Sequence, residues 1–206
     1  MRTRVKICGI TRAEDAQAAT RLGADAIGMV FYDASPRNVS IQQAQLLTRS
    51  MHPFVSSVGL FVDADPGFVR EVIGAVSLDL LQFHGSESAE DCEQFGKPYI
   101  KAIRMESGIS IAERMQAFPG AAAILLDSYS TSVAGGSGET FDWSLVPGDV
   151  RLPLILAGGL NASNVSAAIR SVHPYAVDVS SGVEHSKGIK DADKMSQFID
   201  EVNNQI

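Results

Sequence analysis

The chain has 206 residues, of which 45% are hydrophobic, and a formal net charge of −7. This length and composition fit one domain, or at most two small ones, and exclude a disordered chain. The acidic balance argues against a nucleic-acid-binding protein, which would present a basic face. Apolar runs are too short to cross a membrane, and Cys8 and Cys92 show neither disulfide nor zinc-ligand spacing. We therefore expect a soluble, cytoplasmic protein without a metal.

The first strand sets the pattern for the rest of the chain. Residues 5–8 alternate Val and Ile with Lys6 and Cys8, which places those two side chains on one face. A helical pattern follows over 12–22, with Thr11 as its predicted N-cap and Gly23 as its C-cap. A thiol directly before a helix N-terminus faces backbone N–H groups that favour the thiolate. Cys8 is therefore a candidate reactive residue.

The same strand-then-helix pattern repeats to the end of the chain. Further strands are predicted at 26–31, 57–62, 80–84, 99–105, 122–126, 152–157 and 176–179, and helices at 41–50, 65–76, 86–95, 109–117, 163–171 and 192–202. Continuous apolar strands are typical of parallel sheets that are covered on both faces. Eight such units predict an α/β fold, a (β/α)8 barrel of one domain over 1–206, with a doubly wound open sheet as the alternative.

Polar residues and glycines collect where the predicted strands end, which is where barrel enzymes place their active sites. They are Cys8, Arg37, Gln82, His84, Arg104, Asp127, Gly158, Gly159, Ser180, Ser181 and Gly182. Glycines after strand seven, and small hydroxyl residues before a helix after strand eight, let backbone N–H groups approach an anion. This predicts a phosphate site, although the glycines could instead serve only as turn residues.

Cys8 and Asp127 are the candidates for proton transfer. A carboxyl at the rim of an apolar core can have a raised pKa and act as a general acid, or it can simply cap a loop. Cys8 could equally be buried as a small hydrophobic residue. Paired across the barrel mouth, the two could act as acid and base without a metal. Arg37 could bind a second anion, such as a carboxylate, or be solvated, and His84 is expected to be an ordinary rim residue.

Seven motifs that occur in order along the chain together resemble one family. They are Lys6-Ile7-Cys8-Gly9-Ile10-Thr11, Ser35-Pro36-Arg37, Leu81-Gln82-Phe83-His84-Gly85, Leu126-Asp127, Gly135-Gly136-Ser137-Gly138 with Phe141-Asp142-Trp143, Leu156-Ala157-Gly158-Gly159-Leu160, and Asp178-Val179-Ser180-Ser181-Gly182-Val183-Glu184. Over essentially its whole length the chain resembles the phosphoribosylanthranilate isomerases of tryptophan biosynthesis. The resemblance implies a single-domain barrel that catalyses an Amadori rearrangement of a phosphorylated aminoaldose, without a cofactor.

The resemblance also implies roles for individual residues. Asp127 matches the general acid that opens the furanose ring, Cys8 the general base that removes the C2 proton, and Arg37 the anchor for the anthranilate carboxylate. Further substrate-binding positions, most of them in the phosphate cradle, are Gly159, Asp178, Ser180, Ser181 and Gly182. The implied partner is a small phosphorylated substrate, bound by a monomer or a homodimer. Ser137 and Lys187 depart from the family pattern, which more often has Thr and Pro there.

The residues leave two other functions open. The first is a related phosphate-binding barrel. An indole-glycerol-phosphate synthase would require catalytic lysines and an N-terminal extension. A sugar-phosphate epimerase would bring metal-binding His and Asp residues at strand ends, where only His84 is available. The second is a non-catalytic barrel that senses a phosphorylated ligand and binds it without turnover, and the candidate acid and base count against it.

Overall fold

A computed structural model describes residues 2–105, 110–128, 142–143, 146 and 152–205. Within these residues, eight parallel strands close into one barrel in chain order, which confirms the (β/α)8 fold class over the open sheet. The barrel strands are Arg4–Cys8 (β1), Ala26–Phe31 (β2), Ser56–Phe61 (β3), Leu80–Phe83 (β4), Tyr99–Met105 (β5), Ala123–Ser128 (β6), Leu154–Leu156 (β7) and Ala176–Val179 (β8). That the whole chain, 1–206, forms a single domain stays a prediction.

Helices follow most of the barrel strands and surround the sheet. They are Ala13–Leu22 (α1), Ile41–Ser50 (α2), Pro66–Ala75 (α3), Ala89–Glu93 (α4), Ile111–Gln116 (α5), Val165–Val172 (α6) and Ala192–Asn203 (α7). Ser40 caps α2 through a capping box, and Asp65 caps α3 directly before Pro66, as the sequence predicts. Of the helices in the described ranges, none is long and apolar enough to cross a membrane.

Two predicted helix starts are wrong, because side chains find better partners than those the local pattern indicates. Thr11 does not cap α1: its hydroxyl donates to the carbonyl oxygen of Gly188, and α1 begins at Ala13. The helix expected from residue 86 begins at Ala89, where Ser88 accepts a hydrogen bond from Asp91 N. Local sequence identifies each helix, while tertiary contacts decide its first residue.

The segment between β8 and α7 contains elements that the sequence pattern does not predict. After β8 comes a short 3₁₀ turn, Ser181–Val183, and then an antiparallel hairpin of Glu184–Ser186 (β9) with Ile189–Lys190 (β10). Strands of three and two residues are too short to show an alternating pattern. The hairpin lies beside the carboxyl end of the barrel, because Asp191 N donates to Val183 O and Lys190 N to Asp15 Oδ2.

Strand alternation sorts the side chains into two apolar layers. Outward-facing residues such as Ile7 and Leu126 pack with the helices in one large cluster. Inward-facing residues such as Val58, Leu125 and Ile155 form a second cluster inside the barrel. Val58 and Ile155 also line a cavity at the amino end of the barrel, while polar side chains such as Asp127 lie toward the carboxyl end.

A ladder of aromatic rings joins adjacent strands to the helix layer. Phe61 on β3 lies between Phe31 and Phe83, with ring centroids 5.3 and 6.2 Å away, and Phe83 in turn contacts Phe95 and Tyr99. Phe61 itself is fully buried. Ring pairs at these separations add to the stability gained from burying their area.

We expect Phe61→Ala to lower the free energy of unfolding by about 3–5 kcal/mol, since it removes the ring and leaves a cavity at the centre of the ladder. Chemical denaturation followed by circular dichroism would measure the loss. Leu46→Ala is the control, because Leu46 on α2 is 60% exposed. Equal stability of the two variants would contradict the packing described.

Candidate active site

Inward-facing polar side chains line a cleft at the carboxyl end of the barrel. Cys8, Asp127 and Asp178 reach it from β1, β6 and β8, and they are 6%, 7% and 7% exposed. The cleft and the solvent space at its mouth together measure about 780 Å³. Other lining residues are Arg37, Gln82, His84, Arg104, Gly158, Gly159, Ser180 and Ser181. The sequence-predicted site residues thus lie together, and Gly182 follows directly behind Ser181.

Cys8 lies among buried charges rather than at a helix N-terminus. It faces Gly28 of β2, and Lys6, two residues earlier on the same face, donates through Nζ to Asp178 Oδ1 at 2.9 Å. Burial raises the pKa of Cys8; the charge of Lys6 lowers it and that of Asp178 raises it, and the net direction is upward. The expected thiolate beside a helix start is therefore wrong, because α1 begins only at Ala13. The free protein holds Cys8 as a thiol.

Asp127 belongs to β6 and does not cap a loop, because the strand extends through Ser128 instead of ending at 126. Its Oδ2 lies 3.0 Å from His84 Nε2, and His84 Nδ1 lies 3.1 Å from Gln82 Nε2. With the amide of Gln82 donating, His84 carries its proton on Nε2 and donates it to Asp127. The expected ordinary rim residue is thus hydrogen-bonded directly to the candidate acid.

The two glycine-containing segments lie where β7 and β8 end, as predicted. Gly158 and Gly159 have φ of +83° and +64°, the left-handed region that favours glycine. A Cβ on Gly182 would lie 1.9 Å from the carbonyl oxygen of Leu160, so the two segments touch through their backbones. A 3₁₀ turn, Ser181–Val183, follows β8 directly, and the helix predicted after this strand is α7. Such close backbones are what an anion cradle requires, and phosphate binding there stays a prediction.

Arg37 is fixed at the cleft by a carboxylate of the protein itself. Its Nε and Nη2 donate to Glu184 Oε1 and Oε2 at 2.7 and 2.8 Å, a bidentate pair. Lys190 donates to the same Oε1 at 2.9 Å and to Ser180 O at 3.1 Å. Burial alone would raise the pKa of Glu184, but hydrogen bonds and charges from both cations lower it. Nη1 takes no part in this pair and is the edge that a ligand could meet.

Three charged residues of the site received no role from the residue pattern. Lys6 had a signal, because a lysine inside an otherwise apolar strand and on the face of Cys8 is unusual. Glu184 ends the last of the seven motifs but was given no role there. Lys190 had no signal, since it belongs to the hairpin that the pattern does not show.

Some expectations fall outside the structural description. Residues 129–141, with the glycine-rich motif at 135–138, lie outside the described residues. Among the residues that are described, no group of three or more His, Cys, Asp or Glu side chains could hold a metal ion.

Comparisons with known proteins agree with this geometry. Residues 5–201 match the family model described as N-(5′-phosphoribosyl)anthranilate (PRA) isomerase. An N-(5′-phosphoribosyl)anthranilate isomerase of Pseudomonas aeruginosa (strain UCBPP-PA14) is 58% identical over 98% of this chain and 96% of its own. That of Nitrosococcus oceani is 53% identical over 98% and 100%. The crystal structure of phosphoribosyl anthranilate isomerase from Thermotoga maritima superposes with a TM-score of 0.90 at 40% identity, covering 98% of this chain and 99% of its own.

Together, the barrel, the cleft and these relatives define an isomerase built on a (β/α)8 barrel. The chain belongs to the phosphoribosylanthranilate isomerase family of tryptophan biosynthesis, which confirms the resemblance. A further member, 37% identical with a TM-score of 0.84 and covering 98% of this chain and 99% of its own, was solved with reduced 1-(o-carboxyphenylamino)-1-deoxyribulose 5-phosphate.

We expect Gly182→Ala to raise KM by about tenfold or more, because its methyl group would collide with the backbone of Leu160 and displace the segment after β8. Steady-state kinetics with the purified variant would measure the change. Gly74→Ala is the matched control, since a Cβ there meets nothing within 4 Å. An unchanged KM in the Gly182 variant would mean that this turn does not shape the substrate site.

Proposed function

We propose that the chain converts N-(5-phosphoribosyl)anthranilate into 1-(2-carboxyphenylamino)-1-deoxyribulose 5-phosphate, with Asp127 as general acid and Cys8 as general base. The observation that carries this proposal is that both side chains point inward and line one cleft, from β6 and β1. An Amadori rearrangement moves protons at neighbouring atoms, so it needs one donor and one acceptor held across the substrate. The described residues offer this pair.

The reaction would begin at Asp127. Its carboxyl proton goes to the ring oxygen, the C1–O bond breaks, and the nitrogen lone pair forms the protonated Schiff base. Cys8 then takes the C2 proton, the C–H electron pair forms the enolamine, and tautomerisation gives the ketone. No electrons enter or leave the substrate, so neither an external oxidant nor a reductant is needed.

The hydrogen-bonded partners of Asp127 support its role as a proton donor. As a carboxylate, Asp127 accepts from His84 Nε2 while Gln82 donates to Nδ1. Gln82 Oε1 is buried and has no partner among the described atoms. If the amide turns over, Oε1 accepts from Nδ1–H and Nε2 accepts from a protonated Asp127. The same three side chains therefore accommodate both protonation states that a general acid passes through.

The position of Cys8 supports its role as the base. Burial raises the pKa of Cys8 in the free protein, so the thiol would first release its proton to solvent at the open mouth of the cleft. Ring opening produces a positively charged Schiff base in the same cleft, and a nearby positive charge favours the thiolate. The base would thus become available at the stage of the reaction that uses it.

Anchors at both ends of the substrate complete the proposal. Arg37, oriented by Glu184, would bind the anthranilate carboxylate through Nη1. The phosphate would lie against the backbone after β7 and β8, where Gly159, Ser180, Ser181 and Gly182 are proposed to bind it. Asp178 is proposed as a further substrate-binding position, near the substrate but outside this cradle. Holding both anions fixes the reacting carbons between acid and base, which contributes to rate by positioning. No cofactor is proposed.

The location, partners and oligomeric state of the protein are part of the proposal. We propose a cytoplasmic enzyme that binds neither nucleic acid nor membrane, and that is a monomer or a homodimer. One solved relative from Thermotoga maritima, 39% identical with a TM-score of 0.84 and covering 98% of this chain and 99% of its own, is described as monomers generated from a dimeric isomerase. Sedimentation equilibrium of the purified protein would distinguish the two states.

We expect Cys8→Ala and Asp127→Ala each to lower kcat by at least about 10²- to 10⁴-fold with the fold intact, because each removes one proton-transfer group. The assay follows the loss of fluorescence of freshly generated phosphoribosylanthranilate. Cys92→Ala is the control thiol, since Cys92 is buried in α4 and its burial raises its pKa to about 12. Near-wild-type turnover by either active-site variant would overturn the assignment, and no turnover by the unsubstituted protein would favour a ligand sensor.

We expect Arg37→Ala to raise KM by about tenfold or more with a smaller effect on kcat, because it removes the proposed carboxylate anchor. Arg70→Ala is the control, as Arg70 on α3 bonds Gln94 at the exposed surface. A substrate analogue without the carboxylate would bind the Arg37 variant and the unsubstituted protein equally. An unchanged KM would rule out the anchoring role.

A further inference from the structure

Lys6 is a fully enclosed cation inside the barrel that the proposed reaction leaves unused. It is 3% exposed and projects inward from β1. A lysine is rarely buried to this extent unless it is paired, because the loss of hydration is costly. Its partner is Asp178, whose Oδ1 lies 2.9 Å from Nζ. Asp178 lines the same cleft as Cys8.

The ammonium of Lys6 and the thiol of Cys8 converge on one small space. Both side chains leave β1 on its inward face, and Gly28 of β2 lies opposite. A Cβ on Gly28 would lie 2.8 Å from Cys8 Sγ and 3.0 Å from Lys6 Nζ. Any other residue at this position would collide with both groups. The absence of a side chain therefore permits the lysine to face the thiol.

The charges of this cluster oppose one another. Burial alone would lower the pKa of Lys6, but Asp178 and Cys8 together raise it by more than burial lowers it. Lys6 therefore stays charged at neutral pH. The charge of Lys6 favours a thiolate at Cys8, while that of Asp178 disfavours it. Arg37 and Lys190 also face Cys8, but both are paired with Glu184.

We propose that Lys6 is a positioning residue that acts through Cys8: its enclosed ammonium stabilises the thiolate formed when Cys8 gives up its proton, and Asp178 limits this effect. The functional meaning of the assignment rests on the proposed role of Cys8 as the base. A positive charge that is partly offset by Asp178 leaves Cys8 a thiol at rest and stabilises the thiolate once the proton has left to solvent. Such tuning brings a base toward the working pH.

The test measures the titration of Cys8 directly. In a Cys92→Ala background Cys8 is the remaining thiol, and the rate of its alkylation by iodoacetamide against pH reports the thiolate fraction. We expect Lys6→Met to raise the pKa of the thiol by about one unit or more, which is a tenfold fall in thiolate at a given pH. We expect Asp178→Asn to shift the pKa downward.

Opposite shifts separate this proposal from a purely structural ion pair, which would affect both variants alike. Lys101→Met is the matched control. Lys101 is also a buried lysine with a carboxylate partner, Glu87 at 2.7 Å, but it projects outward from β5. The Lys101→Met variant should lower the free energy of unfolding without shifting the titration of Cys8. The proposal fails if Lys6→Met, folded by circular dichroism, titrates like the parent, or if Asp178→Asn shifts upward.

Two further measurements keep the test decisive. If Lys6→Met does not fold, the Lys6→Met/Asp178→Asn variant removes both charges. The larger influence of Lys6 should then still raise the pKa of Cys8, and an unchanged or lowered value would overturn the proposal. The pH dependence of kcat/KM is the second measurement. If the pH profile of alkylation shifts but the rising limb of the kcat/KM profile does not, the effect of Lys6 on the thiol is upheld. Cys8 is then not the base.

Discussion

The ion pair between Lys6 and Asp178 joins the first strand of the barrel to the last. The two residues are partners in the register between β1 and β8, at the seam where the sheet closes. An unpaired charge in this interior would be strongly destabilising, so each strand requires the other in place. The same pair borders Cys8. The contact that closes the fold therefore also determines the electrostatic surroundings of the proposed base.

Strand alternation explains why the cleft contains these particular side chains. Residues two apart on a strand share a face, so Lys6 and Cys8 point inward together, as do Leu125 and Asp127 on β6. β1, β4, β6 and β8 present Cys8, Gln82, Asp127 and Asp178 to the cleft, whereas β2 and β3 present Val30 and Leu60. A shift of one residue in β1 or β6 would turn Cys8 or Asp127 away from the cleft. The site thus depends on the same register that packs the core.

The residues that could be predicted from sequence are those whose role is local. Eight apolar runs with helical patterns between them predict the barrel, and Gly23 ends α1 at φ +100° as a C-cap glycine should. Cys8 and Asp127 could be found because each stands at the end of an apolar run. What could not be predicted depends on partners distant in sequence. Thr11 bonds Gly188 instead of capping a helix, and His84 bonds Asp127 across two strands.

The basic residues at the cleft are not all compensated alike. Lys6 has the carboxylate of Asp178 to itself, whereas Arg37 and Lys190 share the single carboxylate of Glu184. Basic side chains therefore outnumber carboxylates within the Arg37–Glu184–Lys190 group, in a protein whose overall net charge is −7. A charge that is enclosed is less screened than one in water, and the backbone proposed as the anion cradle, at Ser180, accepts a hydrogen bond from Lys190 in this same group.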